Sequence, residues 1–169
     1  MKRLLGLVVL AVFAGASGAA GSQSTSMNGI GPHGYDGLIG RWSCTNSVPS
    51  PVGGPRSSTV TVTRTGASDA LFYRVIGKNF DSSLYITYSP KTKSWLSPSA
   101  YADGSSSFES GKATGNKMVL SGPFYDAGSG KTVQIRDTLT FSPRKTTDFG
   151  EYRSGAVWKA QYNVVCTKS

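Results

Sequence analysis

The chain has one histidine, two cysteines and two glutamates among 169 residues. A single histidine excludes multi-histidine metal sites, and any His-based triad would have to use His33. So few glutamates, set against 25 serines and 15 threonines, leave the chain short of helix formers and argue against a helical bundle. Charged residues make up only 16%, below the roughly 25% of an ordinary soluble domain. There is no G-x-S-x-G nucleophile elbow, no H-E-x-x-H and no calcium loop of alternating aspartates. Beyond those gaps, a hydrophobic content of 38% with 21 glycines is that of a folded protein, and the length suits one domain.

Residues 1–20, MKRLLGLVVLAVFAGASGAA, open on Lys2 and Arg3, run through apolar residues from Leu4 to Ala14, and end on small side chains. The run has the length of a secretory h-region and is short for a bilayer span, so it reads as a signal peptide cleaved near Ala20. A secreted or periplasmic product follows, with no transmembrane segment after processing. Residues 21–37 are rich in Gly and Ser and read as a flexible leader, with His33 a solvated member of it. The folded domain is then 38–169. An exported chain matures where disulfides persist, so Cys44 and Cys166 read as one bridge between the ends of the domain. Two free thiols are the alternative, but with no histidine nearby they make a poor nucleophile or metal site.

From Leu38 onward, short alternating runs are separated by Gly, Pro, Asn and Asp at the spacing of a sandwich or barrel. Strands are expected at Ile39–Asn46, Ser58–Arg64, Leu71–Ile76, Leu84–Ser89, Ser94–Tyr101, Ser106–Thr114, Lys117–Ser121, Thr132–Ser142, Phe149–Arg153 and Val157–Cys166. The clearest is Thr132–Ser142, where Val133, Ile135, Leu139 and Phe141 share one face. Nearly all neighbours are joined by short turns, and the cysteines fall in the first and last strands. Both features favour an all-β, antiparallel up-and-down barrel of about eight to ten strands over an open sandwich. Gly128 to Thr132 ends like a phosphate-binding loop, but Tyr125 stands where that motif needs glycine and a strand follows, so a hairpin turn is the reading.

The first strand carries Gly40-Arg41-Trp42 after Leu38 and Ile39. This resembles the G-x-W start of the lipocalins and the wider calycin superfamily. The resemblance implies that Trp42 plugs the closed end of a barrel while a basic residue from late in the chain, Arg153 or Lys159, packs over its ring. The later course is similar to short bacterial lipocalin-like proteins of the DUF1579 type. It carries Tyr88 and Trp95 flanking a turn, Asp103-Gly104, Gly111 through Gly115, Arg136 in a Thr-rich strand and a turn from Gly155 to Trp158. The haem-binding branch of the superfamily uses a barrel histidine. No histidine follows residue 33, so that activity is not carried over. What the resemblance implies is a barrel able to hold a small apolar ligand.

Asp137 shares the parity of Ile135 and Leu139, so it faces the apolar interior, where a lone charge is costly. One reading is a carboxylate that orients a ligand or moves a proton, with its pKa raised if unpaired. The other is an ion pair with an inward Arg74 or Arg153, or a bulge that flips the register. Asp36, Asp69, Asp81, Asp103, Asp126 and Asp148 sit beside turn residues and read as turn formers. Trp42, Tyr88, Trp95, Phe141 and Trp158 are the expected cavity walls, with Asp137 and Arg153 at a ligand's polar end. Other aromatic residues, Tyr73, Tyr101 and Tyr162 among them, read as core or cross-strand pairs. No catalytic residue, metal or cofactor is assigned. The net charge of +9 is spread along the chain, which outside the cytoplasm suits an anionic envelope polymer or lipid rather than nucleic acid. Three functions remain: a carrier of a small apolar or amphipathic ligand, an envelope adhesion or scaffold module with a solid interior, and a hydrolase or isomerase using a cavity carboxylate.

Overall fold

The computed structural model of the chain describes residues 32–48, 54–65 and 70–169. The expected signal peptide, its cleavage site at Ala20, the leader as far as residue 31, and Asp69 lie outside the described residues. A 3-10 helix, Pro32–Leu38, leads into ten strands. These are β1 (Gly40–Asn46), β2 (Ser57–Arg64), β3 (Leu71–Gly77), β4 (Phe80–Ser89), β5 (Ser94–Tyr101), β6 (Ser106–Thr114), β7 (Lys117–Asp126), β8 (Lys131–Phe141), β9 (Lys145–Ser154) and β10 (Val157–Lys168). Each pairs antiparallel with its sequence neighbours, and β1 pairs with β10, so the meander closes into a barrel without free edges.

The ten strands fall where the alternation places them, except that β4 begins at Phe80 rather than Leu84 and so takes in Asp81, expected in a turn; three further differences are informative. First, the chain is already helical before Leu38. Pro32–Leu38 is helical, and Tyr35 and Leu38 are buried, because their two apolar side chains fill the end of the barrel below Trp42. Second, β7 runs on to Asp126, past Gly122 and Pro123. A Cβ at Gly122 would lie 2.0 Å from the Phe108 carbonyl oxygen, so only glycine admits that approach of β6. Third, β9 begins at Lys145 rather than Phe149, which puts Asp148 inside a strand.

The closed end is built from the sequence inward. Trp42 Nε1 donates to the Leu38 carbonyl at 2.8 Å, which fixes the 3-10 helix beneath the indole. Tyr35 sets its ring edge against Trp95 at 4.9 Å and Phe141 at 5.1 Å, and Tyr88 packs on Trp95 from the paired position across β4 and β5. Asp36 forms an ion pair with Arg64. A late cation does lie over Trp42, but it is Lys168, 5.4 Å from the ring centre, with its ammonium donating to the Gly37 carbonyl. The expected Arg153 and Lys159 are at the far end of β9 and β10, beside the turn that joins them, and cannot reach it.

Cys44 and Cys166 face each other directly across the β1–β10 pair, 4.0 Å apart at Cα, and are bridged. With 122 residues between them, the bridge removes a large share of the unfolded chain's freedom. Replacing both cysteines with alanine is expected to lower the unfolding free energy by about 3–5 kcal/mol. Urea denaturation of the oxidised protein against the double variant checks this, and a loss below about 1 kcal/mol would show that strand pairing alone closes the barrel.

Candidate functional site

Because β8 alternates strictly, Ile135, Leu139 and Phe141 turn inward and line a cavity of about 460 Å³. Val62, Leu84 and Ile86 supply the facing apolar wall, and Leu38, Trp42 and Phe141 the floor. The other end is the mouth. It is ringed by the turns after β3, β5 and β7, from which Lys78, Asp103 and Asp126 line the opening. The size is that of a small-molecule site.

One wall is not apolar. Asp137 in β8 pairs with Gly150 in β9, and Gly150 in turn pairs with Tyr162 in β10. A Cβ at Gly150 would lie 2.2 Å from the Tyr162 ring, so glycine here lets the ring cross β9 and reach the acids beyond it. The register of β10 slips between Ala160 and Tyr162, a bulge that turns both Gln161 and Tyr162 onto the cavity. The Tyr162 phenol is hydrogen-bonded to the carboxyl groups of both Asp137 and Asp148. Glu109, from β6 and only 3% exposed, is hydrogen-bonded to Asp137 and accepts a long 3.4 Å bond from Ser107 Oγ. Three acids from β6, β8 and β9 thus meet around one phenol, and what surface Asp148 and Tyr162 keep faces the cavity.

Burial dominates the electrostatics. It raises Glu109 to about 9, helped by the charges of Asp137 and Asp148, and it holds Asp148 well above the usual carboxylate range, helped by Asp137. Asp137 is raised less, to about 6, because burial is opposed by hydrogen bonds from Tyr162 and Glu109. Burial thus raises both members of the Glu109–Asp137 pair, Glu109 the further of the two. Burial also raises Tyr162, Tyr101 and Tyr73, so all three remain phenols. No group of three or more His, Cys, Asp or Glu among the described residues is placed to hold a metal ion.

Of the expected ligand residues, Trp42 and Phe141 line the cavity floor, and Asp137 stands in the acidic wall behind Tyr162. The remaining four lie elsewhere. Tyr88 and Trp95 lie below the floor, packed on each other and, through Trp95, on Tyr35. Arg153 is exposed, donating to the Gly155 carbonyl, because it alternates with the inward Asp148 and Gly150. Trp158 shares its parity with Cys166 on paper, but the Gln161 bulge reverses it. The indole lies outside the barrel under the Arg136 guanidinium, 4.6 Å from the ring centre. Among the described residues Asp137 has no arginine partner: Arg74 pairs with Asp81 at 2.9 Å, and Arg136 with Glu151 at 2.7 Å. Asp103 and Asp126 cap turns as expected, and Gly128 to Lys131 is a hairpin turn. Glu109 was not singled out by sequence, and Asp148, read there as a turn former, lies within β9. The signal for Glu109 is its parity with Ser107 and Ala113, which places an acid on an inward face of small residues.

This arrangement defines a class: a ten-stranded, antiparallel, closed β-barrel with a plugged floor, an open mouth and an acid-lined interior. No protein-family model matches the chain, and no characterised protein matches it in sequence. Among solved structures it is similar to the crystal structure of Rv2717c from M. tuberculosis. The TM-score is 0.62 and the identity 16%, over 81% of this chain and 96% of that one. At that identity the likeness concerns the fold.

Because the folded pKa values of Glu109 and Asp148 exceed their unfolded values, the folded chain binds protons more tightly than the unfolded one. Their stabilising contribution is complete below the ordinary carboxylate range and is lost as pH rises toward about 9. The melting temperature is expected to fall from about pH 5 to about pH 9, and Glu109→Gln, which keeps the shape but cannot ionise, to flatten that slope. Thermal melts followed by circular dichroism at constant ionic strength check this; an unchanged slope in the variant would place the titration elsewhere.

Proposed function

We propose that this protein is an exported, lipocalin-like barrel that binds or carries a small apolar or amphipathic molecule. The observation that carries the reading is the cavity of about 460 Å³, apolar on its β2–β4 wall, floored by Trp42 and open at one end. Burying an alkyl or aromatic body there gains roughly 25 cal/mol per Å² of apolar surface withdrawn from water. A bridged cysteine pair suits a compartment where disulfides persist, and no described helix is long and apolar enough to cross a membrane. The envelope scaffold reading needs a solid interior, and a cavity of this size weighs against it. The enzyme reading keeps one support: Asp137, raised to about 6 beside a phenol, is suited to moving a proton near neutrality.

The neutral dye Nile red is expected to bind saturably with a stoichiometry of one and to brighten as it leaves water. Leu84→Trp, which fills the cavity from its apolar wall, is expected to weaken that binding about tenfold or more while leaving the circular dichroism spectrum unchanged. Absence of saturable binding, or equal binding by the filled variant, overturns the carrier reading.

A further inference from the structure

The acids on the β6–β10 wall have no cationic side chain among the described residues to answer them. Arg74 and Arg136 are committed to Asp81 and Glu151, and the lysine lining the cavity, Lys78, belongs to the β3–β4 turn at the mouth, beside Asp103 and Asp126. Nor are the acids fully satisfied by one another. Asp137 Oδ1, Asp148 Oδ1 and Glu109 Oε2 are buried with no hydrogen-bond partner among the described residues. An independent observation comes from the opposite side of the barrel. Tyr73, in β3, lines the same cavity with its phenol oxygen buried and likewise unpartnered, and it lies within the field of Asp148. Two residues from opposite sides of the barrel therefore line one cavity, each with a buried polar atom whose bonding capacity is unmet among the described residues. Each unmet group costs about 1–3 kcal/mol until something pairs with it.

We propose that the cavity selects amphipathic cations, a primary amine on an alkyl or aryl body, with the ammonium held between Asp148 and Tyr73. This deepens the carrier reading and rests on it. An ammonium brings three donors and no acceptor, which matches a carboxylate and a phenol oxygen. Its body lies along Val62, Leu84, Ile86 and Leu139, which line the cavity around that point. Charge is conserved by exchange. The free site holds protons on Glu109 and Asp148, since burial keeps both above the ordinary range. The arriving RNH₃⁺ takes the place of one of them: Asp148 ionises against the ammonium, and its proton leaves to solvent. Tyr101 and Tyr162 keep theirs, being pushed above their ordinary range by burial and by the same acids. An alcohol of equal length displaces no proton. A fatty carboxylate would have to set its charge beside Asp137 or enter protonated.

The test is displacement of Nile red near neutral pH by n-octylamine, n-octanol and n-octanoate, with isothermal calorimetry of the amine and the alcohol in phosphate and in Tris. The amine is expected to displace the dye at a concentration at least about tenfold lower than the alcohol, and the carboxylate to be weakest. Amine binding enthalpies should differ between the two buffers because a proton is released, and alcohol enthalpies should not. Asp148→Asn should bring amine and alcohol together and abolish the buffer difference while Nile red still binds. Tyr73→Phe should narrow the preference, and it decides the matter if the Asp148 variant does not fold. Equal displacement by amine and alcohol, a preference for the carboxylate, or a preference that survives both substitutions overturns the cation proposal and leaves the carrier reading standing. Failure of Nile red itself to bind overturns both.

Discussion

A ten-stranded meander is stable only if its first and last strands find each other, and in this chain that single contact carries the architecture. Nine of the pairings join neighbours in sequence, most of them across short turns. The tenth, β1 with β10, joins the two ends of the domain, and the Cys44–Cys166 bridge sits within it. Closure has a second consequence. It leaves every strand with an inside and an outside, so the interior is assembled from alternate residues of all ten strands. The 3-10 helix then plugs one end, tied down by the Trp42 indole, Lys168 and the Asp36–Arg64 pair. Since two of those ties lie at the start of β1 and the end of β10 and the third at the end of the adjoining β2, the plug is fastened to the seam, and the mouth lies at the opposite end.

Most of this was legible in the sequence. Strand alternation, turn residues and the placement of two cysteines in the outer strands carried the fold class, because each is a short-range pattern with a period of two. What the pattern could not carry was any place where the period breaks. Gln161 adds a residue to β10, and every parity assignment upstream of it reverses. Trp158 moved from the expected interior to the outer surface for that reason alone. Asp148 was read as a turn former because it precedes Phe149 and Gly150, yet the strand takes in Lys145 to Asp148 through pairing with β8 and β10, which is long-range information. Residues 35–38 show the same limit: Tyr35, in the Gly-rich stretch, and Leu38, just after it, are isolated apolar residues, and their burial depends on a barrel end that no local window contains.

Asp137 was the one interior acid visible in advance, since it interrupts the strictest alternation in the chain. Its surroundings were not visible. The expected alternatives were a functional carboxylate, an arginine pair or a bulge that flips the register; among the described residues no arginine pairs with Asp137, and β8 keeps its register there. Three acids and a phenol share protons, which lets the chain bury them without a counter-charge. A salt bridge would have fixed Asp137 as a permanent anion. Proton sharing makes the charge of the wall adjustable, and Asp137, the member least raised by burial, sets where that adjustment begins.

The devices that assemble this wall are costly on their own terms. Gly150 gives up strand propensity, the bulge at Gln161 gives up ladder pairing, and Glu109 gives up the solvation of a carboxyl group. A barrel needing only stability would place aliphatic residues at these positions, as it does on the β2–β4 side with Val62, Leu84 and Ile86. All three costs fall on one wall, around one phenol, facing one cavity. Local rules broken together in this way are expected of a functional surface more than of a core, which is the support they lend the proposed reading. The two walls therefore differ in kind, one satisfied by packing and the other lined by buried acids, and under the proposed carrier reading that asymmetry would orient the ligand.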